Sequence, residues 1–120
     1  MKKLSIFLAL ILISSVAQAE LIQGKGRKTV TSAGTSEPIS DAASSFSKLN
    51  ICAEEDNTGV ISVGPQGVIA SLSTRTGVYL GSGDCYSISL SPGKLGNLNT
   101  IYIDSTVSGD GVNYHYYQEI

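Results

Sequence analysis

Few residues in this sequence could carry out catalysis, and His115 is the single histidine. Serines are abundant, so a Ser-His-Asp triad is formally available, but the chain has no Gly-x-Ser-x-Gly elbow to present a nucleophile. Strand alternation over Val112–Tyr117 places His115 on one side together with Asn113 and Tyr117. An amide, an imidazole and a phenol on one exposed face are typical of a contact surface. We therefore predict an interface at these three residues and no catalytic residues.

Two groups of carboxylates could bind calcium or share acid-base work. Glu54, Glu55 and Asp56 are consecutive, whereas Asp104 and Asp110 flank a segment rich in serine and glycine. Calcium in a loop requires six or more oxygen ligands in a regular rhythm, and neither group supplies them. A solvated turn is expected for the acidic run, and turn-forming roles are expected for the other two. We predict no metal site and no cofactor.

Cys52 and Cys85 are the only cysteines. Two thiols suffice for one disulfide in an oxidising compartment, whereas a zinc site would need further ligands. The alternative is a pair of unbonded small core residues. Alternation places both cysteines on the side of their strands away from the core, so a disulfide requires that the two strands be neighbours in one sheet. We predict the Cys52–Cys85 disulfide.

The one basic cluster is the segment Gly24-Lys25-Gly26-Arg27-Lys28. It has no P-loop or dinucleotide-binding pattern around it, so phosphate binding has no support. The segment is polar and rich in small residues, which predicts a flexible arm over residues 20–27. Such an arm could contact an acidic partner surface.

The first 19 residues have the pattern of an export signal. Lys2 and Lys3 precede an apolar run, and Ala17-Gln18-Ala19 forms a small-x-small cleavage site. A membrane anchor is the alternative, but the uncharged stretch is shorter than the roughly 20 residues that cross a bilayer. We predict a signal peptide over residues 1–19, with only transient membrane contact, and cleavage after Ala19.

Composition excludes several classes of function. The whole chain has a net charge of −2. All 10 acidic residues follow the predicted signal peptide, whereas two of the 8 basic residues, Lys2 and Lys3, lie within it. A nucleic-acid surface that depends on net positive charge is therefore not expected. The chain has 13 glycines, 2 phenylalanines and no tryptophan, so its core is too thin for a deep catalytic cleft.

The remaining sequence predicts an all-β domain over residues 28–120. Short apolar stretches alternate with turn residues at spacings of roughly 8 to 12 residues, which is typical of a sandwich or barrel. We expect a small, single antiparallel β-sandwich, jelly-roll-like, with about eight short strands after the signal-like helix. The predicted strands cover residues 28–31, 37–40, 48–53, 60–64, 68–72, 78–80, 85–90, 100–104 and 112–117.

Several motifs in this order resemble small β-sandwich structural proteins of tailed bacteriophages, of the head-decoration or virion-associated type. The motifs are a strand into Asp56-Asn57-Thr58-Gly59, the strand Ile61-Ser62-Val63-Gly64, the turn Gly83-Asp84, the strand Ile101-Tyr102-Ile103-Asp104 and the hairpin Gly109-Asp110-Gly111-Val112-Asn113-Tyr114. The resemblance implies a non-enzymatic particle protein that binds a capsid or tail lattice or forms homo-oligomers. It carries over no site residues. The export signal departs from the pattern, because such proteins normally assemble in the host cytoplasm.

These observations support two main hypotheses. The first is a phage or prophage structural or decoration protein that acts by surface contact and self-association, located in the virion. The second is an exported bacterial β-sandwich binding or adhesion module, periplasmic or secreted. A third hypothesis, a small hydrolase that uses His115, has the least support. In the first, protein partners are expected at the outward face of the terminal strand and at exposed strand edges, whereas the second would hold a ligand or partner at the loop end of the sandwich.

Overall fold

A computed structural model describes residues 21–119 of the chain, with side chains from residue 24 to residue 118. The predicted signal peptide lies outside the described residues. In chain order, the elements are β1 (Leu21–Thr29), β2 (Glu37–Pro38), β3 (Ser45–Phe46), β4 (Lys48–Ala53), β5 (Ile61–Gly64), β6 (Val78–Leu80), β7 (Cys85–Ser89), β8 (Gly96–Asn97), a short 3-10 helix (Leu98–Thr100), β9 (Tyr102–Ser105) and β10 (Gly111–Glu119). Between residues 21 and 119 there is no helix of the length and apolar character that crossing a membrane requires.

Eight of these strands form two four-stranded antiparallel sheets. The first sheet has the order β1-β10-β4-β7 and the second has the order β2-β9-β5-β6, while β3 and β8 pair separately. Among the eight strands, the first in sequence pairs with the last and the second with the second-last, continuing inward to the β5-β6 pair. This is the strand order of a jelly roll. The predicted all-β, antiparallel, jelly-roll-like fold is confirmed.

Alternation of side chains along the strands builds one core between the two sheets. On β4, Leu49, Ile51 and Ala53 are buried and the residues between them are more exposed, which puts Cys52 on the side away from the core, as predicted. Because apolar burial stabilises by roughly 25 cal/mol per Å², this shared cluster holds the sheets face to face. Its buried members are Val30, Ile39, Phe46, Leu49, Ile51, Ala53, Ile61, Val63, Leu80, Leu98, Ile103 and Val112.

The basic cluster lies in a strand and not in a flexible arm. Residues 20–27 are predicted as an arm, but the described part of this segment, residues 21–27, belongs to β1, which pairs with β10 along its whole length. The rings of Tyr116 and Tyr114 on β10 lie so close to Gly24 and Gly26 that a Cβ atom at either glycine would collide with them. Tyrosine rings therefore cover this part of the core in place of β1 side chains. The strand consequently lacks the alternation of apolar residues by which it could have been predicted.

The prediction of a strand at residues 68–72 is wrong, because this segment belongs to the loop between β5 and β6. Ala70 is fully buried, which accounts for the apolar pattern. Its backbone N–H donates to the Asp104 carboxylate at 2.9 Å, and the N–H of Ile69 donates to the Thr76 hydroxyl at 3.0 Å. Side chains, and not a neighbouring strand, thus satisfy these two backbone N–H groups.

Candidate functional site

The three predicted interface residues lie on the outward side of the first sheet. Asn113 and His115 are exposed and Tyr117 is half-buried, and they alternate along β10 with residues that pack against the core. Since β10 lies between β1 and β4, they occupy the centre of the sheet and not an edge. We call this side of the sheet the outward face. Its described side chains are Lys25, Arg27, Thr29, Asn113, His115, Tyr117, Lys48, Asn50, Cys52, Cys85, Ser87 and Ser89.

The surroundings of His115 suit binding better than catalysis. In the sheet register, His115 lies between Lys25 of β1 and Asn50 of β4. Its ring meets that of Tyr117 edge to face, with 5.6 Å between ring centroids. An ammonium, an amide and a phenol surround the imidazole, so the register does not place a serine and a carboxylate beside it as a triad would require.

Exposed cationic side chains are concentrated on the outward face, although the chain as a whole has a net negative charge. Lys25, Arg27 and Lys48 are all exposed. Arg27 forms a bidentate pair with Glu54, with its Nε 2.6 Å from Oε2 and an Nη 3.1 Å from Oε1. The hydrogen bond to Glu54, aided by the charge of that carboxylate, raises the pKa of Arg27 above its ordinary value. Among the described side chains, no carboxylate pairs with Lys25 or Lys48.

A shallow depression of about 600 Å³ lies on the outward face between β1 and β10. Lys25, Arg27, Asn113 and His115 are among the residues that form its walls. Because Glu54 already pairs with the Arg27 guanidinium, the donors that the depression offers to another molecule are the Lys25 ammonium and the Asn113 amide. Both groups can donate hydrogen bonds to a carboxylate.

The disulfide predicted between Cys52 and Cys85 is present and lies on the same face. The two residues are opposite each other on β4 and β7, with Cα atoms 4.0 Å apart. In the next outward row, the Ser87 hydroxyl donates to the side-chain oxygen of Asn50 at 2.8 Å. Covalent and hydrogen-bonded links thus join β4 and β7, so this side of the face is held rigidly.

The acidic run after β4 does not form a ligand cluster. Glu54 pairs with Arg27, while Glu55 and Asp56 are exposed in the turn that was predicted there. Throughout the part of the chain that the structure describes, no three metal-ligating side chains come together as a metal site would require.

Asp104 and Asp110 differ from their predicted role as simple turn formers, because both are buried. Asp104 accepts the backbone N–H groups of Gly34 and Ala70, each at 2.9 Å. A carboxylate that bonds two loops lying far away in sequence stabilises both of them. The sequence contains no local signal for such partners, since they lie 70 and 34 residues away.

Asp110 joins two turns that lie far apart in the sequence. Its carboxylate accepts the backbone N–H of Thr58 at 3.1 Å and that of Gly59 at 2.7 Å. Beside it, the Asn57 side chain makes two hydrogen bonds with the backbone of Gly111, at 2.8 and 2.9 Å. The Asp56–Gly59 turn and the hairpin before β10 are therefore interlocked, which fixes where β10 begins.

Comparison with protein-family models and with curated proteins found no match to this chain. The function of the chain is therefore inferred from the geometry and chemistry of the outward face, together with the sequence motifs.

Proposed function

We propose that the protein is a non-enzymatic contact module whose outward face binds an acidic protein surface. The observation that carries this proposal is the concentration of exposed cations on one face of a chain with net charge −2. Lys25 and Lys48 have no carboxylate partner among the described side chains, so their charge is available to another molecule. Complementary charge on a partner would speed association and select against basic surfaces.

Aromatic and amide groups on the same face support a contact function. His115 and Tyr117 present ring edges and polar tips at the centre of the sheet, a combination that is common where proteins meet. The neighbouring strands are hydrogen-bonded on both sides of β10, so binding would not have to order this backbone.

The disulfide supports an oxidising setting for this function. Disulfides persist in exported proteins and are rare in the cytosol. Together with the predicted signal peptide, the Cys52–Cys85 bridge favours an exported binding module, periplasmic or secreted.

The second candidate is a phage or prophage decoration protein that attaches to a capsid or tail lattice. It is favoured by the order of motifs that resembles virion-associated proteins, which spans β4 to β10. Mass spectrometry of the native protein separates the two settings. A chain that begins at Glu20 supports export, whereas a chain that begins at Met1 and co-purifies with particles supports the virion.

Binding to immobilised poly-L-glutamate tests the contact function. We expect Lys25→Glu to weaken binding by about tenfold, because it replaces attraction with repulsion inside the depression. Ser73→Glu combined with Thr74→Glu is the matched control, since it changes net charge equally but lies in the exposed loop between β5 and β6 of the second sheet. The double change His115→Ala with Tyr117→Ala should weaken binding by a smaller factor.

Equal losses for Lys25→Glu and for the Ser73→Glu and Thr74→Glu double change would contradict the proposal, because binding would then follow net charge and not the outward face. Binding that is unchanged by both substitutions would contradict it as well.

A further inference from the structure

The two main sheets have four free edges, and these differ in how well they are protected from pairing with another chain. β1 carries Lys25, Arg27 and Lys28, and charged side chains discourage edge pairing. β2 has only two residues, and one of them is Pro38, which has no N–H to donate. β6 has three residues. β7 is the exception, because it has five residues without a charge or a proline.

The backbone of β7 is oriented for pairing at its free edge. The backbone N–H of Ala53 donates to the backbone carbonyl oxygen of Asp84, and the backbone N–H of Leu90 donates to that of Ser47. Since hydrogen-bonded residues alternate along an antiparallel pair, the even-numbered residues of β7 direct their backbone groups toward β4. The backbone groups of Cys85, Ser87 and Ser89 therefore point the other way, and no strand within residues 21–119 pairs with them.

Two copies of β7 can pair antiparallel about Ser87 with favourable side-chain neighbours on both sides of the sheet. In an antiparallel pair of two copies centred there, Cys85 would face Ser89 of the partner subunit and would exchange hydrogen bonds with it. On the core side, Tyr86 would face Ile88 of the partner subunit, and the reciprocal pair would form by symmetry. Tyr86 and Ile88 are only partly buried although they pack against the core. Aromatic and β-branched side chains form favourable cross-strand pairs, so pairing would complete their burial.

We propose that β7 pairs antiparallel with β7 of a second copy, which joins the first sheets of two molecules into one eight-stranded sheet. The occupant of the edge is a second copy because the complementary residues are its own and because neither strand carries a charge that would repel the other. This proposal does not depend on what the outward face binds.

The symmetry of this pairing has a consequence for the contact face. A two-fold axis between antiparallel neighbours is perpendicular to the sheet, so the outward faces of both copies would lie on the same side. A partner with repeated acidic sites could then engage both copies, and the second contact would be intramolecular. The dimer would thus present one continuous face with two sets of cations.

Sedimentation analysis of the protein in the form that its cell produces, after any cleavage of the signal peptide, tests this inference in the absence of any partner. We expect the mean mass to rise from one to two copies with increasing concentration. Ser87→Lys should weaken association about fivefold or more, because it places two like charges opposite each other at the centre of the new pair. Thr29→Lys adds the same charge at the far edge of the same sheet and should leave association unchanged.

Amide hydrogen exchange provides a second measurement that does not depend on a substitution. The N–H groups of Cys85, Ser87 and Ser89, which point toward the free edge of β7, should exchange more slowly as the protein concentration rises. The exchange rates of the N–H groups of β1 should not change. A mass of one copy at the highest soluble concentration would overturn the inference. Association that Thr29→Lys weakens and Ser87→Lys does not would overturn it too, by placing the contact at β1. Neither result would affect the poly-L-glutamate test, which reads the outward face.

Discussion

The two main sheets of this jelly roll hold their strands in place by different means. In the first sheet, β1 and β10 each have nine residues, and backbone pairing continues along their whole length. In the second sheet, the strands have two to four residues. The loops around these short strands are held by two buried carboxylates, Asp104 on β9 and Asp110 in the loop between β9 and β10, which accept hydrogen bonds from backbone N–H groups.

This difference explains why the first sheet is the better place for a contact face. Its strands need few of their outward side chains for their own stability, so Lys25, His115 and Tyr117 remain available for binding. The outward side of the second sheet is instead occupied at Asp104 by loops that bond to its carboxylate. Apart from the Cys52–Cys85 disulfide, substitutions on the outward face of the first sheet should therefore affect binding more than stability, whereas substitutions of the buried carboxylates Asp104 and Asp110 should affect stability more than binding.

The largest expected effect on stability is that of Asp110→Ala. The change leaves the N–H groups of Thr58 and Gly59 without their charged acceptor in a partly buried turn. Hydrogen bonds to charged groups contribute about 1.5 to 3 kcal/mol each, so we expect a loss of about 4 kcal/mol in the free energy of unfolding. Urea denaturation measures it.

Asp84→Ala is the control for that prediction. Asp84 is exposed, and its carboxylate accepts one backbone N–H, that of Gly81, at 3.0 Å. We expect a loss of about 1 kcal/mol or less there. If the two substitutions cost the same, the buried carboxylate would not hold the turns together as described.

Removal of the disulfide should have the next largest effect. Cys52 and Cys85 are 33 residues apart, and closing a loop of this size contributes about 3 to 4 kcal/mol in the chain-entropy model. Replacing both by alanine should lower the free energy of unfolding by that amount while β4 and β7 stay paired. An unchanged urea midpoint would show that the bridge adds nothing to a ladder that is already complete.

Acid should weaken the contacts that Glu37 of β2 makes with the end of β1 and with the loop that follows β1. Burial alone would raise the pKa of Glu37, but hydrogen bonds from the backbone of Thr31 and Ser32 and from Lys28 outweigh burial and hold the pKa below its ordinary value of 4.5. A lowered pKa in the folded state means that Glu37 stabilises the protein above about pH 4.5 and that this contribution is lost as the pH falls further.

Glu37→Gln should therefore flatten the decline in stability below pH 4.5. Glu55→Gln, in the exposed turn after β4, is the comparison variant and should leave the decline as it is. Thermal melts between neutral pH and about pH 3 measure both. A decline of the same steepness in the unsubstituted protein and in the Glu37→Gln variant would remove Glu37 from the account of acid sensitivity.

The smallest expected effect on stability is that of His115→Ala combined with Tyr117→Ala. Both side chains lie on the outward face, and surface substitutions usually change stability by no more than about 0.5 kcal/mol each. We expect a nearly unchanged melting temperature together with weaker binding to poly-L-glutamate. A large drop in melting temperature would mean that these rings stabilise the sheet and are not reserved for a partner.

Regular alternation made much of the first sheet predictable from sequence. On β4 and β10, apolar and polar residues alternate, so the inward and outward sides could be assigned, and the disulfide followed once the strands were neighbours. β1 could not be predicted, because Gly24 and Gly26 stand where apolar side chains would reveal the inward side, and tyrosines from β10 cover them.

The second sheet was harder to predict because its order depends on distant partners. The segment at residues 68–72 has the composition of a strand, but the N–H of Ala70 is bonded to Asp104, 34 residues away. Asp110 likewise has the local context of a turn, and its partners Thr58 and Gly59 come from another loop. The basic cluster of the outward face could be recognised in the sequence. That it lies beside His115 could not be predicted, because this depends on the register of β1 against β10.

The most direct test of the contact face is a residue-by-residue map of amide chemical shifts while poly-L-glutamate is added. The account predicts changes at Lys25, Asn113, His115 and Tyr117 and at their neighbours on the outward face, with little change on β5, β6 and β9. Shifts concentrated on the second sheet or on its loops would contradict the account, because the acidic partner would then bind the sheet whose outward side serves stability.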